Sequence, residues 1–213
     1  MIKAVIFDFD GVIGDTMKDN CIAWQKAFKP YGFQLDASEY YRLEGMGRYQ
    51  IAQHFIDKYN LDASINNDVV EAKEHNYKTD NTFKIYDHVL TIFAFLKQKG
   101  ISTAIVTGAS RARITEHLDA GIASQVTALV TADDVTHTKP HPEPYLKAVT
   151  KLNLSPKNCI VVENAILGIE SAKAANCKCF ALETTLTKTD LRQADEVFST
   201  HKDLLTKFET IFK

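Results

Sequence analysis

The chain has 213 residues, of which 45% are hydrophobic and 24% are charged. This is typical of a globular protein with one full α/β core and room for an insertion. The net charge of −2 argues against a nucleic-acid partner, because a phosphate backbone attracts a basic surface. No apolar run is long enough for a transmembrane helix and the first residues lack a signal-peptide layout, so we expect no membrane partner and a cytoplasmic location.

Four cysteines are scattered along the chain, mostly within apolar segments: Cys21, Cys159, Cys177 and Cys179. Cys177 and Cys179 lie two residues apart on a predicted strand, which is too close for an ordinary disulfide between them. We interpret the four as reduced core residues of a cytosolic protein rather than as metal ligands. Nothing in the sequence requires more than a monomer.

The first predicted element is a short buried strand over residues 4–7, rich in β-forming side chains. Asp8, Asp10 and Gly11 follow it directly. In open α/β sheets, ligands bind at the carboxyl ends of the strands. Two carboxylates this close repel each other unless a cation or a proton lies between them. The alternative is that both acids only cap a turn, where Asp is common.

Residues 15–81 show no clear strand and predict a helical insertion. Polar junctions that contain Gly or Asn separate its segments and suit hinges. We therefore predict a small helical cap domain over 15–81, inserted into a catalytic core domain formed by 1–14 and 82–213. The predicted helices of the insertion span residues 15–29, 37–43, 49–59 and 69–79.

After the insertion, predicted helices and strands alternate. This rhythm indicates right-handed crossovers and a parallel sheet covered on both faces. The predicted fold class is therefore α/β, a Rossmann-like parallel sheet core with an inserted small α-helical cap domain. Strands are predicted over residues 101–106, 126–131, 159–162, 178–182 and 196–199, and helices over 88–99, 111–120, 142–152, 165–176 and 203–212.

Polar residues follow four of the predicted strands. The carboxyl ends of parallel strands lie at the same edge of the sheet, so these residues should lie close together. Carboxylate and amide oxygens suit Mg²⁺, whereas a hydroxyl, a lysine and backbone N–H groups suit a phosphate. An aspartate can attack phosphorus, and a second carboxyl can move protons. Each piece alone could be a turn, a solvated lysine or a helix cap, but their ordered occurrence predicts one shared site. The residues are Asp8, Asp10, Thr107, Gly108, Lys139, Glu163 and Asn164.

Taken in order, four segments resemble the motifs of the haloacid-dehalogenase-like hydrolase superfamily, and the resemblance covers the whole chain. The helical insertion resembles the cap of that family. Within the superfamily, the chain is most similar to the β-phosphoglucomutase and sugar-phosphate phosphatase branch. The segments are DFDGV at 8–12, TGAS at 107–110, KPHPE at 139–143 and VVENAILGI at 161–169.

The resemblance implies a catalytic role for four residues. Asp8 would be the nucleophile and a metal ligand. Asp10 would be the general acid and base, with its main-chain carbonyl also facing the metal. Thr107 would bind the transferring phosphoryl group, and Lys139 would neutralise charge between the nucleophile and the phosphate.

Binding roles are implied in the same way. Glu163 and Asn164 would hold Mg²⁺ together with the two aspartates, and Arg48 and Lys73 would reach from the cap to the far end of the substrate. For Arg48, an ordinary surface arginine remains the alternative. The backbone around Gly108 and Ala109 would line the phosphate site.

Several positions discriminate between members of the family. Its dehalogenases lack an acid at the position of Asp10 and its phosphonate-cleaving members do not keep that second Asp, which argues against both activities. The last motif usually carries a second acid where this chain has Asn164, so metal affinity is expected to fall. The mutase branch has a histidine at the position of Asn20, and its absence removes a proton-handling group. Asp87-His88 replaces a common Pro-Gly pair and is expected to affect only the hinge.

The predicted function is a Mg²⁺-dependent phosphatase that acts on a small phosphorylated metabolite, most typically a sugar phosphate, through an aspartyl-phosphate intermediate. The first alternative is a β-phosphoglucomutase-like phosphotransferase that uses the same intermediate. The second is a catalytically weak binding or regulatory protein of the same fold. The intact set of Asp8, Asp10 and Lys139 argues against the second alternative.

Overall fold

The computed structural model describes residues 1–213 and has one sheet of six parallel strands at its centre. The strands are β1 (Ala4–Phe7), β2 (Ser102–Val106), β3 (Val126–Val130), β4 (Cys159–Glu163), β5 (Lys178–Leu182) and β6 (Glu196–Phe198). Their order is β3-β2-β1-β4-β5-β6, so the direction in which the sheet grows reverses between β1 and β4. Doubly wound sheets bind ligands in the crevice at such a reversal.

Ten α-helices accompany the sheet, and four of them form the insertion between β1 and β2. None has the length and hydrophobicity that crossing a bilayer requires. In chain order the helices are α1 (Met17–Phe28), α2 (Ala37–Arg42), α3 (Arg48–Lys58), α4 (Asn66–Asp80), α5 (Val89–Gln98), α6 (Arg111–His117), α7 (Ala120–Ala123), α8 (Glu143–Lys151), α9 (Ile166–Ala174) and α10 (His201–Ile211).

Both faces of the sheet are buried under helices. Along β1, Val5 and Phe7 belong to one hydrophobic cluster and Ala4 and Ile6 to the other, because side chains alternate along a strand. The first cluster includes residues of α5 and α10, and the second includes residues of α8 and α9. A central parallel strand with two buried faces requires a continuous apolar run, which is what the sequence has. The predicted α/β fold class is confirmed.

The insertion has a hydrophobic cluster of its own, with 12 buried residues. Trp24 and Phe28 stack on α1 with ring centroids 6.2 Å apart, and Phe55 of α3 meets Phe28 edge-on at 5.8 Å. The predicted helices of the insertion are present, with bounds that shift by a few residues. This cluster gives the insertion internal packing that does not depend on the sheet.

One predicted helix is wrong. The segment 111–120 forms α6, which ends at His117, and a separate short α7 that begins at Ala120. The break occurs because the Asp119 carboxylate accepts the backbone N–H groups of Gly121 and Ile122, at 2.7 and 3.4 Å, and so caps a new helix. Gly121 therefore lies inside α7 instead of ending the preceding helix. All four cysteines are buried and form no disulfide.

Candidate active site

The chain turns sharply after β1 and leaves Asp8 and Asp10 at the carboxyl edge of the sheet. Gly11 has a φ of +80°, which favours glycine, and its N–H donates to the Gly14 carbonyl at 2.8 Å. A Cβ at Gly11 would lie 2.1 Å from Nδ2 of Asn164, which follows β4. Glycine is therefore needed here both for the turn and for the close approach of two predicted motifs.

Lys139 lies between the carboxylates of two motifs. Its Nζ donates to Asp8 Oδ1 at 2.7 Å and to Glu163 Oε1 at 2.6 Å, and its side chain is 2% exposed. Burial alone would lower the pKa of Lys139, but the two carboxylates outweigh burial and raise the pKa above its usual value. Burial raises the pKa of Asp8 to about 7, even though Lys139 acts in the opposite direction.

The loop that carries Lys139 is held by hydrogen bonds to a carboxylate at its C-terminal end. Both oxygens of Glu143, at the start of α8, accept backbone N–H groups of the loop, from Thr136 and from His137, each at 2.9 Å. The peptide bond between Lys139 and Pro140 is cis. This bracing fixes the loop that delivers Lys139 to the end of β1.

Glu163 has both carboxylate oxygens occupied by protein groups. Its Oε1 accepts from Lys139 and from the Tyr145 hydroxyl, each at 2.6 Å, and its Oε2 accepts the N–H groups of Asn164 and Ala165 at 2.9 and 3.2 Å. A Cβ at Gly168 would lie 1.9 Å from this carboxylate. Glu163, which the sequence predicted as a metal ligand, thus uses both oxygens to hold Lys139 and the turn that leads into α9.

Asn164 offers an oxygen that nothing in the protein uses. The residue is 1% exposed, its Nδ2 donates weakly to Thr185 Oγ1 at 3.4 Å, and its Oδ1 is buried without any hydrogen-bond partner. An orphaned buried acceptor costs free energy, and native proteins normally satisfy it. Beside the Asp8 and Asp10 turn, an unused amide oxygen fits the ligand chemistry of a hard divalent cation.

Asp10 is held by three donors. Thr16 Oγ1 and Asn20 Nδ2 donate to its Oδ1 at 2.6 and 3.3 Å, and Arg113 forms a close ion pair with its Oδ2. Burial alone would raise the pKa of Asp10, but the Arg113 guanidinium and the Thr16 hydroxyl outweigh burial and lower it below the usual value. The structure thus favours the ionised form of Asp10.

Sequence reasoning missed Arg113. Its guanidinium also donates to Asn20 Oδ1 at 3.2 Å and lies 4.8 Å from the centre of the Tyr77 ring, so it links α6 of the core to α1 and α4 of the insertion. No local signal distinguishes it from Arg111, two residues earlier, which pairs with Asp134 at the surface. Only the tertiary arrangement brings Arg113 to Asp10.

We predict that Arg113→Met destabilises the fold more at neutral pH than at acid pH. Loss of the partner of a buried charge costs roughly 3–5 kcal/mol when Asp10 is ionised. In the wild type, the pKa of Asp10 is lowered below its unfolded value of 3.8. The ionised carboxylate therefore stabilises the fold fully above about pH 3.8, and this stabilisation is lost as the pH falls further. In the variant, burial without Arg113 raises the pKa of Asp10, so Asp10 becomes protonated in mild acid. The loss in free energy of unfolding relative to the wild type is then smaller. Urea unfolding at about pH 7 and about pH 4 measures this difference.

Arg111→Met is the matched control for this experiment. The Arg111 side chain is 46% exposed, and exposed ion pairs contribute at most about 1 kcal/mol. Its deficit should be small and nearly independent of pH. A deficit of Arg113→Met that is equal at both pH values would contradict the assigned ion pair.

The loop after β2 runs beneath the insertion. Thr107 is buried, and its hydroxyl accepts the N–H of Ala109 at 3.1 Å. A Cβ at Gly108 would meet the carbonyl oxygens of Gly45 and Met46 at 3.7 Å, so the backbone of the insertion passes directly over this loop. Gly108 and Ala109 therefore form part of the floor below the insertion.

A polar cavity lies between the insertion and the core. Thr107, Lys139, Glu163 and Asn164 do not line this cavity directly but stand behind its floor. The cavity therefore joins both ends of the predicted site, the acids of the core and the cations of the insertion. Six of the predicted residues line it: Asp8, Asp10, Arg48, Lys73, Gly108 and Ala109.

The two predicted cations of the insertion have different surroundings. Lys73 is buried, donates to Glu74 Oε1 at 3.0 Å and lies 5.2 Å from the centre of the Tyr77 ring. Burial lowers the pKa of Lys73, against the opposing effect of Glu74. Arg48 is half-buried and makes no ion pair; its guanidinium lies 5.2 Å from the ring of Tyr49. Arg48 is thus the cation that is free to meet a ligand.

The fold and the site together define a doubly wound α/β protein whose acidic site, with a buried lysine, lies under a helical insertion. Residues 5–182 match the family model described as haloacid dehalogenase-like hydrolase, and the chain belongs to that family. The resemblance predicted from the four motifs is confirmed, and with it the prediction that the chain is an enzyme of this type.

Similar proteins support this assignment. The chain is 30% identical over 174 residues to a fructose-1-phosphate phosphatase of Escherichia coli, covering 80% of this chain and 91% of that protein. A solved β-phosphoglucomutase from Clostridium difficile superimposes with a TM-score of 0.83 at 28% identity, covering 99% and 96% of the two chains. A solved protein from Bacteroides vulgatus reaches a TM-score of 0.89 at 28% identity, covering 99% and 88%.

Proposed function

We propose that this protein is a Mg²⁺-dependent phosphatase of small phosphorylated metabolites of the sugar-phosphate class, acting through an aspartyl-phosphate on Asp8. The observation that carries the proposal is the state of Asp8. One carboxylate oxygen is fixed by Lys139 at 2.7 Å, while the other accepts no hydrogen bond, and the residue lines the cavity. A buried carboxylate with one free oxygen beside a fixed cation suits nucleophilic attack on phosphorus.

Before the first step, Asp10 takes up a proton from solvent. Asp8 Oδ2 then attacks phosphorus and the bond to the leaving oxygen breaks, while Asp10 gives that oxygen its proton. In the second step, water attacks the phosphorus and Asp10 takes a proton from it. The bond to Asp8 then breaks and inorganic phosphate leaves. Arg113 favours the ionised form of Asp10, which is the form that accepts the proton of water. Lys139, behind Asp8, offsets negative charge on the phosphoryl group.

Mg²⁺ would be held by Asp8, the main-chain carbonyl of Asp10 and Asn164. The orphaned Oδ1 of Asn164 supports this fit, whereas Glu163, with both oxygens engaged, would act by holding Lys139. When bound, the ion supplies electrostatic stabilisation to the transferring phosphoryl group.

We predict that Asn164→Asp lowers the Mg²⁺ concentration needed for half-maximal activity. The substitution adds a negative charge at the ligand position without changing its size. Thermal melting with increasing Mg²⁺ gives a second readout, because a ligand that binds the native state raises Tm. Asn67→Asp, on the exposed side of α4, is the matched control. An unchanged or weakened Mg²⁺ requirement in Asn164→Asp would show that Asn164 is not a ligand.

Residues 15–81 would act as the cap domain over a core formed by 1–14 and 82–213, excluding water and selecting the substrate. Contacts between the two parts support this assignment: the Gly47 N–H donates to Thr138 Oγ1 at 3.2 Å, next to Lys139 in the core loop. Arg48 and Lys73 would meet the part of the substrate away from the reacting phosphate.

A phosphotransferase of the β-phosphoglucomutase type is the second candidate, favoured by the fold similarity and by the two cap cations. Such an enzyme must hold a second phosphate and keep water from Asp8. Lys73 is already paired with Glu74, and Asn20, which contacts Asp10, cannot take up a proton near neutral pH. These two observations favour hydrolysis.

The test has two parts. A panel of phosphorylated metabolites and p-nitrophenyl phosphate, with and without Mg²⁺, is expected to show Mg²⁺-dependent phosphate release; none from any compound would favour a binding protein. Incubation with β-glucose 1-phosphate, a trace of the 1,6-bisphosphate and Mg²⁺ then separates the two enzymes. Formation of glucose 6-phosphate much faster than free phosphate would favour the mutase.

A further inference from the structure

Glu44 is an acid that neither the motifs nor the proposed mechanism uses. It lies in the insertion just after α2, is 9% exposed and lines the same cavity as Asp8 and Asp10. Its Oε1 is buried and has no hydrogen-bond partner. Glu44 therefore brings to the cavity a buried carboxyl oxygen that no protein group hydrogen-bonds.

The other acids of the cavity all have cationic partners. Asp8 pairs with Lys139, Asp10 with Arg113 and Glu74 with Lys73, so no neighbouring cation is left for Glu44. These pairs leave Arg48 as the unpaired cation of the cavity wall, but it is half-exposed and water can solvate it. A buried acid without a partner is costly, and such groups persist mainly where a ligand satisfies them.

The protonation state of Glu44 agrees with that view. Burial raises the pKa of Glu44 to about 8, and the negative charge of Asp10 adds to this effect against the opposing charge of Lys73. Near neutral pH, a large fraction of Glu44 therefore carries a proton. A carboxylic acid can both donate and accept a hydrogen bond, which matches the two functions of an alcohol hydroxyl.

We propose that Glu44 is a hydroxyl-binding group of the cavity and selects phosphate esters whose alcohol part carries further hydroxyls. Trp24 and Tyr40 line the same cavity and supply apolar walls, which together with few polar groups are typical of small-molecule sites. This role of Glu44 rests on the proposed function for the position of the phosphate. It adds that the rest of the substrate carries hydroxyl groups.

The test compares two ligands with the same six-carbon skeleton, D-glucitol 6-phosphate and n-hexyl phosphate, which differ in their hydroxyls. Binding is measured by calorimetry with Mg²⁺ in an Asp8→Asn parent, which stops turnover. Glu44→Leu is expected to weaken binding of the glucitol ester about tenfold, the size of one lost hydrogen bond, and to leave the hexyl ester unchanged or tighter. Glu44→Gln, which keeps a donor and an acceptor, should stay within about threefold.

Glu71→Leu, on the exposed face of α4, is the matched control and should change neither affinity. Equal weakening of both ligands by Glu44→Leu, no weakening of either, or a parent that binds neither would overturn the inference. Should Glu44→Leu fail to fold, Glu44→Met takes its place with the same expectations. If the wild type releases no phosphate but Glu44→Leu still weakens only the glucitol ester, the proposed function is overturned and this inference is supported.

Stability gives an independent readout. Because the carboxyl of Glu44 is buried without a partner, Glu44→Leu is expected to raise Tm by at least about 2 °C relative to the parent. A marked fall in Tm would show that Glu44 has a structural partner and would count against the inference.

Discussion

Asp8→Asn is expected to lower turnover by at least about a thousandfold, the usual scale for loss of a nucleophile. The amide of Asn at this position cannot form the aspartyl-phosphate, although it keeps the size of the carboxylate. The variant should stay folded, because Lys139 keeps its second partner, Glu163, at 2.6 Å. Steady-state phosphate release, with melting curves recorded on the same samples, measures both expectations.

Asp68→Asn is the control, since Asp68 on α4 is exposed and forms no ion pair. It should leave turnover unchanged. Mass spectrometry of the wild type, quenched in acid during turnover, should find one phosphoryl group on the peptide that contains Asp8. If Asp8→Asn retains more than about a thousandth of wild-type turnover, the covalent mechanism is wrong.

The sheet and the position of the site could be predicted from the sequence because both follow from short-range patterns. The apolar run of β1 indicates a strand buried on both faces, and the polar residues after successive strands must meet at one edge. The structure brings Asp8 and Lys139 together across 131 positions of the chain, as the order of the motifs predicts. The hydrophobic period and the order of the motifs along the chain are therefore sufficient to predict this part of the site.

Arg113 and Glu44 could not be predicted in the same way. Their roles depend on how the insertion lies over the core, and no periodicity in the sequence encodes that orientation. For Glu163, the sequence indicated the correct neighbourhood, but not that Lys139, Tyr145 and two backbone N–H groups would use both of its oxygens. Side-chain partners of this kind are set by packing, which a motif does not describe.

Lys139→Met is expected to reduce both activity and stability. The substitution leaves Asp8 and Glu163, both buried, without the cation that stands 2.6–2.7 Å from each. Removing one partner of a buried ion pair costs roughly 3–5 kcal/mol. If Lys139 stands at the phosphoryl site as proposed, its loss is expected to lower turnover by about a hundredfold or more. Guanidinium unfolding and phosphate release measure the two effects.

The pH dependence of the stability loss has a definite sign. In the wild type, burial raises the pKa of Asp8 to about 7 against the opposing effect of Lys139, and without Lys139 this pKa should rise further above that of the unfolded chain. The free energy of unfolding of the variant should therefore fall as pH increases toward the raised pKa, and the stability loss should be larger at about pH 8 than at about pH 5. A stability loss that is the same at both pH values would mean that Asp8 is not its source.

A second substitution separates the structural role of Lys139 from its role in the reaction. Glu163→Gln, added to Lys139→Met, removes one of the two uncompensated negative charges. The glutamine can still accept a hydrogen bond from the Tyr145 hydroxyl, which lies 2.6 Å from Glu163 Oε1 in the wild type. Much of the lost stability should return in the double variant. Activity should not return, because no cation then stands beside Asp8. Recovery of both would show that Lys139 acts only by neutralising Glu163, and the charge-neutralising role at the phosphoryl group would then be wrong.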